Sequence, residues 1–268
     1  MPAFPISIWI LLAAALIVSS MGFKNYIWFI SLGYGFSIAA QGVVMLIYYR
    51  EILSTATVIL SALLILYGLR LSGYLAIREA KSSSYKKHMT NEIKDGKTVP
   101  FGVKCSIWVT CALLYLTQVL PVLYRFSTGA EDSVMAYVGI GVMALGLILE
   151  TAADLQKNAA KKKNPRRFVD TGLYRIVRCP NYLGEMIFWT GVFLSGIGAL
   201  SSVGQWILAA IGYVGIIFVM FSGARRLELR QNKNYGTDPE YQAYVKKVPI
   251  LLPFVPLYSV TKYKFFVA

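Results

Sequence analysis

The chain alternates long apolar stretches with short polar ones. Apolar runs fall at about 5 to 22, 26 to 48, 52 to 75, 103 to 124, 133 to 155, 183 to 200 and 203 to 222. Each has roughly the 17 to 25 residues that a helix rising about 1.5 Å per residue needs to cross a hydrocarbon core of about 30 Å. Segments of about ten residues alternating polar and apolar, the mark of a membrane barrel, do not occur. The pattern predicts an all-α polytopic membrane bundle of about seven transmembrane helices, forming a single integral membrane domain over residues 1–268. The first run lacks a basic flank and a small-residue cleavage pattern, so it reads as a span rather than a signal peptide.

Composition agrees with that solvent: 56% of the 268 residues are hydrophobic and 15% charged, too apolar for a soluble domain of this length. The charges then orient the bundle. Arg78, Lys81, Lys86, Lys87, Lys94 and Lys97 follow the third run, and Lys157, Lys161, Lys162, Lys163, Arg166, Arg167, Arg175 and Arg178 follow the fifth. Arg225, Arg226, Arg230, Lys233, Lys246, Lys247, Lys262 and Lys264 come after the seventh, whereas the alternate loops offer Arg50 and Arg125. The positive-inside tendency therefore puts loops around 76–102, 156–182 and 223–268 in the cytosol and the N-terminus outside. The net +14 is a cytosolic face suited to anionic lipid or a phosphate-bearing cofactor. It calls for neither nucleic acid nor an obligate protein partner. Cys105, Cys111 and Cys179 with the single His88 make neither a disulfide framework nor metal-ligand spacing.

Ionisable groups inside spans are costly and ask for a partner or a function. Tyr67 and Arg70, three apart, share one face near the cytosolic end of the third span; they suit either a ligand or an interfacial belt. Glu150 and Asp154, four apart, share a face at the end of the fifth span and can accept from hydroxyls, amides or neighbouring arginines. The run from Thr171 to Glu185 is the densest signal. It contains Tyr174, Arg175 and Arg178, then Pro180, Asn181 as an expected helix N-cap, Gly184 and Glu185. Two arginines just before a helix start suit a phosphate or carboxylate. Arg226 and Glu228 follow the seventh span, and the apolar residues among Pro249, Pro253 and Pro256 suit a segment at the membrane surface. Gly139, Gly141 and Gly146 lie within a span with no strand before them, which favours close helix packing over a dinucleotide loop.

Three segments together, Glu150-Thr-Ala-Ala-Asp154-Leu-Gln156-Lys157, Thr171-Gly-Leu-Tyr-Arg175 and Pro180-Asn-Tyr-Leu-Gly-Glu185, resemble the steroid 5-alpha-reductase superfamily, itself related to isoprenylcysteine carboxyl methyltransferases. The likeness spans roughly residues 30 to 256. It implies an NADPH-dependent membrane reductase acting on the carbon–carbon double bond of a steroid-like or lipid enone. Tyr67-Gly-Leu-Arg70 matches the family's tyrosine and arginine, so the resemblance implies Tyr67 as the carbonyl-side donor and Arg70 as a cofactor contact. It carries cofactor binding over to Glu150, Asp154, Asn181 and Glu185, with Lys161, Tyr174, Arg175, Arg178, Arg226 and Glu228 as further candidates. Gln41 is the nearest polar candidate for the acidic partner that steroid reductases place on the second span. Cys179 stands where many relatives have histidine. The competing expectations are an S-adenosylmethionine-dependent isoprenylcysteine-type methyltransferase and a noncatalytic sterol- or lipid-binding protein. The implied membrane is a bacterial inner membrane or the endoplasmic reticulum.

Overall fold

A computed structural model describes residues 5–81 and 99–266. Lys86, Lys87, His88, Lys94 and Lys97, and the side chain of Lys81, lie outside the described residues. Eight α-helices appear among the described residues: α1 (Ile6–Ser19), α2 (Leu32–Tyr48), α3 (Thr55–Lys81), α4 (Phe101–Thr128), α5 (Val134–Lys163), α6 (Pro180–Ser195), α7 (Val203–Tyr235) and α8 (Pro239–Lys247). No strand is present among them. Six helical segments are long and apolar enough to cross a membrane, and the protein is a polytopic helical membrane bundle. The run expected at 183 to 200 forms α6, whose 16 residues reach only about 24 Å.

The spans run further into the polar segments than hydropathy suggested. α5 continues past residue 155 to Lys163, and α7 continues past 222 to Tyr235. Lys157 and Lys161 to Lys163 are therefore helical rather than in a loop, and so are Arg226 and Glu228. Gln, Lys, Ala, Arg and Glu are good helix formers, and lysines in a last turn complement the helix dipole.

Two compact units make up the chain. Unit 1 comprises residues 1–140 and 192–213, and unit 2 comprises 141–191 and 214–268, so the division falls within α5, α6 and α7.

In unit 1, α2 and α3 cross where Gly35 and Gly68 meet. A Cβ on Gly68 would strike the Gly35 carbonyl oxygen, so this approach requires glycine. Several polar side chains of α3 and α4 reach backbone carbonyls of neighbouring segments. Ser72 Oγ donates to Leu32 O (2.8 Å), Trp108 Nε1 to Leu16 O (3.0 Å) and Tyr115 Oη to Phe29 O (2.5 Å). Pro121 sits inside α4 and leaves the Thr117 carbonyl without its usual i+4 donor. Gly212 of α7 packs directly on that carbonyl, and Gly196 packs on the Pro121 ring. Arg125, expected in an outer loop, is in the last turn of α4 and 1% exposed. Its Nη1 donates to Ser195 O (3.0 Å) and its Nη2 to Glu131 O (2.5 Å). Asp132 receives the Ala56 amide (3.2 Å) at the start of α3 and the Tyr137 hydroxyl (2.8 Å). Its carboxyl pKa is lowered, first by the Ser54 hydroxyl and then by Tyr137 and the Ala56 amide.

In unit 2, Phe168 packs against Tyr235, Tyr241 and Tyr244, seating α8 against the end of α7. Asp238 caps α8 by accepting the Glu240 amide (2.9 Å), with Pro239 in the first turn. Arg167 bridges Glu240 (2.5 Å) and Asp170 (2.9 Å), and these carboxylates raise the pKa of its guanidinium.

Candidate functional site

The ten candidates from Glu150 to Glu228, Lys161 and Arg178 among them, belong to unit 2, while Gln41, Tyr67 and Arg70 belong to unit 1. Unit 2 brings the motifs into contact. A Cβ on Gly184 would lie 2.6 Å from the Glu150 amide nitrogen, so the start of α6 rests on the backbone of α5 at the first residue of the Glu150–Gln156 segment. Gly172, with φ 59, makes the left-handed turn that opens the Gly172–Arg175 3-10 turn, and a Cβ there would strike the Gln156 side chain. That side chain accepts the Leu173 amide at 2.9 Å. Tyr174 Oη in turn donates to Ala153 O at 3.3 Å. The three segments are thus joined by backbone contact and by side chain to backbone bonds.

Glu150, Asp154, Tyr174, Arg178, Glu185 and Glu228 are buried, whereas Arg175 and Arg226 are exposed. Asn181 is not the N-cap expected from sequence. α6 begins at Pro180, and the Cys179 carbonyl accepts the first intrahelical bond from the Leu183 amide (3.1 Å). Proline suits the first helical position because its missing N–H costs nothing there. Asn181 is therefore released from capping, and its Oδ1 is buried without a hydrogen-bond partner.

Arg178 and Glu228 face each other at 2.9 Å with side chains 1% and 3% exposed. Arg178 Nη2 also donates to Tyr258 O, and Glu228 Oε2 accepts the Val260 amide at 2.9 Å. The same loop grips the chain further upstream, the Arg178 and Cys179 amides donating to Pro249 O (2.9 Å) and Ile250 O (3.0 Å). This strap over the buried pair left no trace in the sequence motifs. Burial pushes the Cys179 thiol up to about 12, so it is protonated at neutral pH and inert as a nucleophile. Burial likewise raises the Tyr244 phenol, which donates to Tyr174 O at 2.7 Å. Lys161 Nζ donates to Arg167 O (2.5 Å), Tyr235 Oη (2.9 Å) and Pro165 O (3.2 Å), joining the end of α5 to the end of α7.

In unit 1, Tyr67 is fully buried beside the Gly35–Gly68 crossing, and its hydroxyl donates to Tyr34 Oη at 2.9 Å. The Tyr34 ring also lies against Tyr115, with centroids 5.1 Å apart. Gln41, two turns further along α2, turns away, its Nε2 donating to Leu11 O of α1 at 3.3 Å. Tyr34 is the hydroxyl partner that sequence reasoning missed. Its only signal is its place on α2, on the face that also presents Ile38 and Gln41. Arg70 is half-buried, with its guanidinium 5.9 Å from the Tyr74 ring centroid.

A stretch of 89 residues is 37% identical to an uncharacterized protein, C594.04c, from Schizosaccharomyces pombe. The match covers 33% of this chain and 24% of the relative. No solved structure matches. A family model described as a protein of unknown function, DUF1295, matches residues 16–248, which takes in both units and every candidate residue. The chain belongs to the DUF1295 family.

Proposed function

We propose that the protein is an NADPH-dependent reductase of the carbon–carbon double bond of a steroid-like or lipid enone, a member of the steroid 5-alpha-reductase superfamily. The observation that carries this reading is the backbone contact of Gly184 with Glu150. It joins the two motifs that resemble that superfamily's cofactor segments within one compact unit.

The donor set suits a dinucleotide. Buried carboxylates at Glu150, Asp154 and Glu185 accept from ribose hydroxyls and a carboxamide, and the unpartnered Asn181 Oδ1 offers one further acceptor. Exposed Arg175 and Arg226 supply cations for phosphates. When bound, NADPH supplies the hydride. The Tyr67 hydroxyl turns from Tyr34 to donate a hydrogen bond to the enone carbonyl oxygen as negative charge develops there. Its surroundings exclude water, which strengthens that bond. The Tyr34 hydroxyl, 2.9 Å away, accepts the Tyr67 hydrogen bond before substrate binds and so holds the phenol in place. In this reading the C-terminus faces the cytosol and the membrane lipids supply the substrate.

The test is binding of NADPH and of S-adenosylmethionine to detergent-purified protein, followed by NADPH consumption with a panel of steroid and lipid enones. Selective NADPH binding with enone-dependent oxidation is the expected result. Binding of S-adenosylmethionine alone would make the protein a methyltransferase, and binding of neither would make it a noncatalytic lipid binder.

A further inference from the structure

The stretch after α8 holds a group whose placement the reductase reading leaves unexplained. Phe254 is 100% exposed and has φ 64, the left-handed region that a bulky side chain rarely enters. The loop that carries it is held at both ends. Ile250 N–H donates to Leu257 O (2.9 Å) across its base. Upstream, Pro249 O and Ile250 O are gripped by the Arg178 and Cys179 amides, and downstream Tyr258 O and Val260 N–H are gripped by Arg178 and Glu228. A strained, fully exposed phenylalanine on an anchored loop is unfavourable twice over in water, and burial of its ring in an apolar medium removes one of those penalties.

The far end of the same segment places the loop near the membrane boundary. Phe266 packs on Phe218 and Phe221, in the last apolar turns of α7. Arg225, one turn further along α7, donates to Thr261 O (3.2 Å) and Phe266 O (3.1 Å). The segment thus returns from the polar end of α7 to its apolar belt. Between residues 245 and 266 the chain carries Lys246, Lys247, Lys262 and Lys264 and no carboxylate, and all four lysines are exposed. Val255, Tyr258 and Phe265 are exposed beside them, and Lys246 and Tyr258 line one open cleft. Exposed aromatics interleaved with lysines match the interface of an anionic bilayer, where rings enter the acyl boundary and ammonium groups meet headgroups.

We infer that the Pro253–Pro256 loop is a wedge that inserts Phe254 past the headgroups to the acyl boundary of an anionic leaflet. The strap that covers the Arg178–Glu228 pair is then fastened to lipid at its tip. The test uses full-length protein carrying Phe254→Cys labelled with an environment-sensitive fluorophore, in nanodiscs of phosphatidylcholine with or without phosphatidylglycerol. An Asn234→Cys variant on the exposed end of α7 is the aqueous control. Quenching of the position 254 probe by doxyl lipids rather than by aqueous iodide, stronger in the anionic discs, is the expected result. Iodide quenching equal to that of the control overturns insertion. In the Lys262→Glu, Lys264→Glu background the preference for anionic lipid is expected to vanish, and its persistence overturns the role of those cations.

Discussion

Unit 1 and unit 2 hold their buried polar groups in opposite ways. In unit 1, Arg125, Asp132 and the Tyr67–Tyr34 pair apart, the bonds described run singly from a side chain to a carbonyl of a neighbouring helix, as with Gln41 on Leu11, Ser72 on Leu32 and Trp108 on Leu16. Each such bond contributes about 0.6 to 2 kcal/mol within a membrane, and the loss of one leaves the others intact. In unit 2 the bonds converge, since Arg178 and Glu228 neutralise each other and together hold three stretches of chain. Polar groups spread singly let a bundle keep an apolar interior, whereas a shared ion pair makes several segments stand or fall together. The first arrangement suits the entry of an apolar molecule and the second suits a rigid polar cradle.

The sharpest way to break this contrast is Glu228→Gln, which leaves the Arg178 guanidinium buried beside a neutral amide. A loss of about 3 to 5 kcal/mol is expected, read as a fall in detergent unfolding stability. The double variant Arg178→Met, Glu228→Leu should recover much of it, and failure to recover would mean that the backbone contacts rather than charge pairing set the cost. Next comes Tyr67→Phe, which removes one hydroxyl from unit 1. Turnover of an enone should fall by roughly 100-fold with NADPH affinity unchanged, while Asp154→Ala or Asn181→Ala should weaken NADPH binding instead. Equal turnover in the Tyr67 variant would remove that residue from the chemistry. Gly68→Ala drives a methyl against the Gly35 carbonyl and should cost about 1 to 3 kcal/mol, seen as a lower Tm. The smallest effect concerns Asp132, whose carboxyl pKa is held down in the folded state. Its contribution is present above the unfolded value of about 4 and is lost as pH falls through the lower folded one. Asp132→Ala should therefore lower Tm modestly at neutral pH, with the gap to the parent closing in acid.

Hydropathy reads the apolar spans well because a bilayer admits few alternatives to helices. It reads their polar ends poorly. Nothing in an apolar count registers that Lys157 to Lys163 or Arg226 to Arg230 continue a helix, since there propensity rather than burial decides. The motif segments could be placed near one another by resemblance, but their mode of contact could not, because Gly184 reports only that something comes close. Asn181 was misread as a cap for a specific reason: Asn is a strong capping residue, yet a proline before it takes the first helical position and moves the cap to Cys179. Tyr34 was overlooked and Arg125 assigned to an outer loop because an aromatic or a lone arginine near a span end is usually interfacial. Their partners, the Tyr67 hydroxyl and the carbonyls of Ser195 and Glu131, lie 33, 70 and 6 residues away. The strap over Arg178 was invisible for the same reason, since its bonds use backbone atoms that every residue possesses.

Pro121 ties together positions that are far apart in the chain. Its ring meets Gly196, and the carbonyl it leaves free at Thr117 is met by Gly212. Gly212 also lies against the Thr117 carbonyl carbon and the Gln118 nitrogen, so the α4 backbone itself demands a bare position there. In the evolutionary record of the family, lineages that keep the proline should keep both glycines.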